Sequence, residues 1–176
     1  MHRWYTDARV LGWMGEQPLS LARRQRRYTA SAESDDDSAL RFVICRLDDD
    51  EPIGRIDLFD IDHSNGSAGF GITIGDPALW GRGFGTDAVN ALVDLAFGQL
   101  RLERVWLGSD ARNLRAHAAY AKAGFTVEGR LRHAFFQDGD WLDDVRMALL
   151  REEWLALPRK KSWELVAEAV RLSEQG

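Results

Sequence analysis

Two short segments of this 176-residue chain combine residue types that could hold a ligand. The first, Trp80–Ala88, reads WGRGFGTDA and places three glycines and an arginine directly before an apolar helical pattern. Because glycine has no side chain, the backbone N–H groups at such a helix start stay open to an anion, and the helix dipole adds to the attraction. The segment therefore predicts an anion site of pyrophosphate type, and a tight turn without a ligand is the alternative.

The spacing of these glycines excludes two common nucleotide-binding loops. A Walker loop needs Gly, four residues, and then Gly-Lys followed by Ser or Thr, and the chain has no such string. A dinucleotide fingerprint needs GxGxxG, but the third position counted from Gly81 and Gly83 is Thr86. A different kind of phosphate turn remains.

The second segment carries Asn113, Ala116 and Tyr120, which are three and four residues apart. This spacing places an amide, a small side chain and a phenol on one face of a helix over two turns. The arrangement suits a ligand that runs along the helix. The alternative is that Asn113 only caps the helix and Tyr120 only packs in the core.

Hydrophobic periodicity predicts the elements that position these residues. The strand before the glycines and the strand after the following helix should be parallel, which makes the sheet mixed. We therefore predict an α/β (α+β) fold with a mixed central sheet flanked by helices. The predicted elements are a helix at Pro18–Tyr28, strands at 41–47, 53–62 and 68–75, a helix from Thr86, a strand at 103–109, a helix from Asn113 to Gly124, two strands around Asp138 and Gly139, and a helix from Lys160 to Gly176.

Composition limits the classes of partner. The hydrophobic content of 45% supports one domain spanning residues 1–176, while a net charge of −5 and a pI near 5.4 give no global attraction to nucleic acid or to anionic lipid. No apolar run approaches the ~18 residues of a membrane span, so we expect a cytoplasmic protein without nucleic-acid or membrane partners.

The cysteine, the histidines and a basic run give no indication of a further functional site. Cys45 is the single cysteine, lies in the apolar stretch RFVICRL and is predicted to be a buried thiol without a disulfide. The four histidines have no His or Cys partner at ligand spacing, so no metal site is expected. The basic run RRQRR at Arg23–Arg27 is interpreted as a solvated helix face.

Taken together, the motifs resemble the GNAT superfamily of acetyl-CoA-dependent N-acetyltransferases. The resemblance runs from about Phe42 to Trp154 and points to the branch containing ribosomal-protein N-terminal acetyltransferases and spermidine acetyltransferases. It implies the GNAT acyl-CoA N-acyltransferase fold, acetyl-CoA as cosubstrate and a primary amine as acceptor. The segments that carry it are GFGITI, WGRGFGT, RVWLG, ARNLRAHAAYAKAGFTVEGRLR and VRMALLREEW.

The resemblance also implies roles for individual residues. Tyr120 would be the catalytic residue that protonates the departing thiolate, and backbone N–H groups of the Gly71–Ile74 strand would stabilise the developing oxyanion. Trp80 stands where the superfamily has Gln or Arg, so Arg82 is expected to supply the positive charge. The implied acetyl-CoA contacts are Ile72, Thr73, Ile74, Arg82, Gly83, Phe84, Gly85, Thr86, Asn113 and Ala116.

The general base is not resolved by the sequence. An alkyl amine with a pKa near 10 is mostly protonated at neutral pH and must lose a proton before it attacks. Relatives often carry a Glu where this chain has Gly69, which also keeps open a module that binds coenzyme A without turnover. The candidates, directly or through water, are Asp60, Asp62, His63 and Glu128, and ordinary surface roles are the alternative for each.

The acceptor and the assembly remain expectations. The resemblance slightly favours an N-terminal peptide or ribosomal protein over a polyamine, an amino acid or an antibiotic. It also implies an initial strand, for which there are too few residues before Trp4. Either that strand is missing, the start is trimmed, or another element covers the sheet edge. We expect either the extra C-terminal helix at about 160–175 or a partner subunit, as in a homodimer, to cover the open sheet edge.

Overall fold

Six strands form one sheet in the computed structural model, which describes residues 2–14, 20–32 and 37–173. The strand order is β1-β2-β3-β4-β6-β5, and every neighbouring pair is antiparallel except β3 and β4, which are parallel. This confirms the predicted mixed sheet. The strands are β1 Leu40–Cys45, β2 Pro52–Asp62, β3 Ser67–Ile74, β4 Arg104–Asp110, β5 Thr126–Gln137 and β6 Asp140–Leu150.

Six α-helices and two 3₁₀ turns complete the described fold. The predicted N-terminal helix begins at Leu21 and extends to Ala32, and Pro18 lies outside the described residues. Within those residues, no helix is both long and apolar enough to cross a membrane. The helices are α1 Ala8–Leu11, α2 Leu21–Ala32, α3 Phe84–Gly98, α4 Leu114–Lys122, α5 Arg151–Ala156 and α6 Ser162–Ser173, with 3₁₀ turns at His2–Tyr5 and Pro77–Leu79.

Helix α3 covers one face of the sheet and forms the centre of the core. Its apolar residues recur at helical spacing, so Val93 and Phe97 are fully buried on a single stripe. They pack in one cluster with Leu58, Val105 and Leu149 of the central strands. The core thereby anchors the turn that precedes α3.

The parallel pair β3–β4 separates partway along its length. Ser67 to Gly69 pair with Arg104 to Trp106, but β3 continues to Ile74 without further pairing on that side. Over the same stretch β3 stays paired with β2, and β4 stays paired with β6. A wedge therefore opens between the carboxyl ends of two parallel strands, the usual position of ligand sites in such sheets.

Local turn predictions agree with the structure. Asp138 (φ 53°) and Gly139 (φ 93°) both lie in the left-handed region, as a two-residue hairpin between β5 and β6 requires. Gly124 ends α4 with a φ of 101°, the predicted left-handed cap.

The predicted burial of Cys45 is wrong, and of the two alternatives for covering the sheet edge, the C-terminal helix is not the one seen. Cys45 is exposed and not buried, because β1 is the edge strand and presents most of its side chains to solvent. Helix α6 packs on α3, where Trp163 contacts Gly98 and the ring of Trp154, so its described contacts lie away from the β1 edge.

Candidate active site

The wedge between β3 and β4 opens into a cavity of about 420 Å³. This volume is in the range of small-molecule sites. Its walls come from α1, β2, β3, the glycine turn, the end of β4 and α4. Nine of the eleven predicted site residues line it, namely Ile72, Thr73, Ile74, Gly83, Gly85, Thr86, Asn113, Ala116 and Tyr120.

The glycine turn has the geometry of an anion cradle. Gly81 and Gly83 have φ angles of 73° and 94°, which side chains rarely adopt, and no atom lies within 4 Å of the position a Cβ would take. Gly83 is the N-cap of α3 and supplies no side-chain hydrogen bond, so the first N–H groups of α3 are not capped by it. The residues present therefore fit a phosphate group at this helix start.

Two predicted contacts lie outside the cavity lining. Arg82 is exposed, and its guanidinium carbon lies 5.8 Å from the centroid of the Phe84 ring. Neither side chain is among the residues that face the cavity. In this structure the Arg82 guanidinium stacks toward Phe84, and the expected contact of Arg82 with a ligand stays a prediction.

Trp80 forms the rim beside the turn. Its Nε1 donates a hydrogen bond of 2.8 Å to the carbonyl oxygen of Ile74, the last residue of β3. The guanidinium carbon of Arg115 lies 3.8 Å from the centroid of the indole. Trp80 and Arg115 both line the cavity, although neither is among the expected cofactor contacts.

Helix α4 brings its predicted residues to the opposite wall. Asn113 caps the helix, since its Oδ1 accepts a 3.2 Å hydrogen bond from the backbone N–H of Ala116. Asn113 can cap the helix and also contact a ligand in the cavity, because its Nδ2 group makes no hydrogen bond within the described chain. Capping leaves that donor available to a ligand.

Tyr120 lies at the inner end of this wall. Its ring meets Phe70 edge-on at 5.6 Å between centroids and Phe125 at 6.4 Å. Burial raises the pKa of the Tyr120 phenol to about 12. The hydroxyl therefore stays protonated through the neutral range, as a proton donor requires.

The four candidate bases do not line the cavity. Asp62 accepts hydrogen bonds from the backbone of Ser64 and Asn65, and Glu128 pairs with Arg104 at the surface. Asp60 is exposed, and His63 lies 3.9 Å from Asp37 in an exposed loop. Their ordinary surface roles are the ones seen.

The position of Gly69 explains the missing carboxylate. A Cβ there would lie 2.4 Å from Phe59 and 2.9 Å from Trp106. These two rings pack edge to face, with centroids 5.5 Å apart. The aromatic pair fills the space over β3 and leaves no room for a glutamate.

Charge in the cavity has one sign. Its charged lining residues are Arg55, Arg115 and Lys122, and no carboxylate lines it in the described ranges. Arg55 lines the cavity from β2 and pairs with Asp57 at 3.5 Å. Nor do the described residues contain a group of three His, Cys, Asp or Glu able to hold a metal. The cavity suits an anionic ligand.

Sequence reasoning missed one buried carboxylate beside the cavity. Asp144 of β6 lies over Gly108, with Oδ2 2.7 Å from the position of a Cβ there, and pairs with Arg146 at 2.8 Å. Burial raises the pKa of Asp144. Strand alternation puts Asp144 on the face opposite Val145, which packs against the core, so the sequence pattern gives no signal of its burial.

Comparison with known proteins gives a consistent result. The chain matches the family model of the acetyltransferase (GNAT) domain over residues 1–126. It is 37% identical to the spermidine N(1)-acetyltransferase of Escherichia coli K12 over 122 residues, which are 69% of this chain and 63% of that protein. It is 33% identical to the putative ribosomal N-acetyltransferase YdaF of Bacillus subtilis over 101 residues, 57% of this chain and 55% of that protein.

A solved structure is similar over nearly the whole chain. Spermidine N-acetyltransferase from Vibrio cholerae, in complex with CoA and spermine, superposes with a TM-score of 0.80 at 28% identity, covering 88% of this chain and 89% of that one. In the sequence comparisons the chain spans less than two thirds of the curated relatives' length. With its parallel-strand wedge, glycine turn and matching domain model, the chain belongs to the GNAT acetyltransferase family.

Proposed function

We propose that this protein is an acetyl-CoA-dependent N-acetyltransferase whose acceptor is a polyamine. The observation that carries the proposal is the wedge between β3 and β4, which gathers the glycine turn, the free edge of β3 and Tyr120 around one cavity. The similarity to spermidine acetyltransferases supports the polyamine acceptor over the N-terminal peptide that the sequence alone favoured. A peptide acceptor stays the second candidate because of the similarity to YdaF.

Each wall of the cavity has a part in holding the cosubstrate. The N–H groups at the start of α3 would bind the pyrophosphate, and the edge of β3 at Ile72–Ile74, which does not pair with β4, would hydrogen-bond the pantetheine arm. Asn113 offers its amide donor to the same arm, while Ala116 leaves space for it to pass. Acetyl-CoA supplies the activated acetyl group as a thioester.

Transfer moves one acetyl group and one proton. The neutral amine nitrogen forms a bond to the acetyl carbon as the C–S bond breaks, and backbone N–H groups of β3 stabilise the charge on the acetyl oxygen. Tyr120 gives its phenolic proton to the thiolate, and the proton shed by the amine restores it through solvent. Because no carboxylate lines the cavity in the described residues, water carries the proton away from the amine.

Thiol release from acetyl-CoA tests this function directly. The panel contains spermidine, spermine and peptides with Ala, Ser or Thr at the N-terminus, with CoA binding measured in parallel by calorimetry. We expect turnover with the polyamines. Turnover with peptides alone would move the acceptor to the second candidate, and binding without any turnover would support a coenzyme A sensor.

We also propose that the chain self-associates. The edge strand β1 exposes Phe42 and Val43, an arrangement that favours pairing with another chain. One similar solved structure, spermidine N-acetyltransferase from Vibrio cholerae, is described as dodecameric. Light scattering coupled to size-exclusion chromatography should give a mass above 19.9 kDa, and a monomer at all concentrations would contradict the proposal.

A further inference from the structure

The guanidinium of Arg115 stacks on the indole of Trp80 at the rim of the cavity. Its guanidinium carbon lies 3.8 Å from the Trp80 ring centroid, and Trp80 is itself tied to the carbonyl of Ile74. Stacking of a guanidinium on an indole restricts it to one plane while its N–H donors stay available at the edge. The arrangement holds a cation in place before any ligand arrives.

This cation has no counter-ion in the described chain. Across residues 2–14, 20–32 and 37–173 no carboxylate forms an ion pair with Arg115. Desolvation lowers its pKa, with no carboxylate opposing the effect. The residue is exposed overall, so its N–H donors stay accessible to an anionic ligand.

Arg115 of α4 lies in the same cavity lining as the glycine turn. The turn residues Trp80, Gly81 and Gly83 line this cavity together with it. Arg82, which belongs to the turn itself, lies outside that lining and contacts Phe84. Helix α4 therefore contributes a cation to the cavity that the turn also lines.

We propose that Arg115, held by Trp80, is the residue that pairs with the pyrophosphate of coenzyme A, in place of Arg82. The inference rests on the proposed function, since it concerns the same cosubstrate. It assigns Trp80 a positioning role, because the indole acts only through the guanidinium it supports.

Calorimetric titration of the full chain with CoA tests the assignment. Arg115→Met keeps the aliphatic stem and removes the charge, and we expect the Kd to rise about 10- to 100-fold, as for loss of a hydrogen bond to a charged group. Arg82→Met is the matched control and should stay within about twofold of the native protein. Equal affinities for the native protein and Arg115→Met would overturn the inference.

The two proposals fail in different ways. If the native protein binds no CoA, the proposed function is contradicted. If the native protein binds CoA and Arg82→Met weakens binding while Arg115→Met does not, only the assignment of the charge is overturned. Thermal melting of each variant should stay close to that of the native protein, because Arg115→Met loses only an exposed cation–π contact with Trp80, which contributes little to stability.

A truncated ligand identifies the phosphate. With 3′-dephospho-CoA, Arg115→Met should lose the same factor as with CoA, because the pyrophosphate is retained. A loss that disappears with 3′-dephospho-CoA would place the guanidinium on the 3′-phosphate and overturn the pyrophosphate assignment.

A double-mutant cycle tests the role of Trp80. Trp80→Leu removes the indole on which Arg115 stacks. In that background Arg115→Met should therefore weaken CoA binding much less than it does in the native protein. Losses that simply add would show that the two side chains act independently and would overturn the positioning role.

Discussion

At the scale of single residues, Tyr120 is the side chain whose removal should separate chemistry from binding. Tyr120→Phe keeps the ring that packs on Phe70 and Phe125 but removes the proton donor. We expect kcat to fall about 10²- to 10⁴-fold, the usual range for a general acid. The Kd for CoA should change less than about threefold by calorimetry.

Two observations would test this role further. Tyr5→Phe removes a phenol that does not line the cavity and should keep native turnover. Because the pKa of Tyr120 is raised to about 12, its deprotonation should not reduce the rate below about pH 11. Equal losses of turnover and CoA affinity in Tyr120→Phe would show that the residue acts by packing.

Single-residue roles were only partly predictable. Helical spacing is enough to put Asn113 and Tyr120 on one face, because 3.6 residues per turn fixes that geometry. Helical spacing could not predict that Arg82 lies outside the cavity lining while Arg115 is part of it. The direction of the Arg82 side chain depends on φ angles in the glycine turn that the residue types do not determine. Nor does any local pattern indicate that Phe59 and Trp106 occupy the space above Gly69.

At the scale of elements, the glycine turn joins β3 to α3 through a backbone that glycine alone adopts easily. Gly83→Ala should lower the free energy of unfolding by about 1–2 kcal/mol, the cost of a left-handed residue with a Cβ. It should also weaken CoA binding, because Gly83 lines the cavity and the methyl adds bulk at the start of α3. Chemical denaturation and calorimetry measure the two effects.

The hairpin offers a matched control. Gly139 has a φ of 93°, close to the 94° of Gly83, and equally open space around a Cβ, but it lies at the β5–β6 turn outside the cavity lining. Gly139→Ala should therefore lose similar stability and keep native CoA affinity. Loss of affinity in both variants would mean that the effect at Gly83 is general destabilisation.

Elements with long periodic patterns were predictable, and short ones were not. Helix α3 and strands β2, β3, β4 and β6 follow from apolar spacing because their apolar residues reach the core. Strand β5, which has no buried residue, follows from the turn signal at Asp138 and Gly139. The four-residue segments His2–Tyr5 and Ala8–Leu11 are too short for a period to appear. The docking of α6 on α3 depends on Trp163 fitting against Gly98, a tertiary contact that periodicity does not contain.

At the scale of the whole molecule, Asp94 ties the C-terminal region to the core. This buried carboxylate accepts hydrogen bonds from Trp154 Nε1, the Arg159 guanidinium and both the backbone N–H and the hydroxyl of Ser162. It thereby joins α3 to α5, the connecting segment and α6. Asp94→Asn should cost about 3–5 kcal/mol in unfolding free energy, because it leaves a largely buried arginine without its charge partner.

A surface pair provides the comparison. Glu128→Gln removes the ion-pair partner of Arg104; the Glu128 and Arg104 side chains are 41% and 36% exposed. This variant should lose at most about 1 kcal/mol of unfolding free energy. Urea denaturation at neutral pH measures both variants. Similar small losses in the two would show that Asp94 contributes no more than a surface ion pair.

The stabilisation by Asp94 should also depend on pH. Burial alone would raise its pKa, but hydrogen bonds from Arg159, Trp154 and Ser162 outweigh burial and lower the pKa below the ordinary 3.8. A lowered carboxyl pKa adds stability above the unfolded-state value, and that stability is lost as the pH falls through the folded-state value. The difference between the native protein and Asp94→Asn should thus be constant from about pH 7 to pH 5 and shrink below about pH 4. Urea midpoints at several pH values measure it, and a difference that grew on acidification would require a raised pKa and contradict this account of the hydrogen bonds.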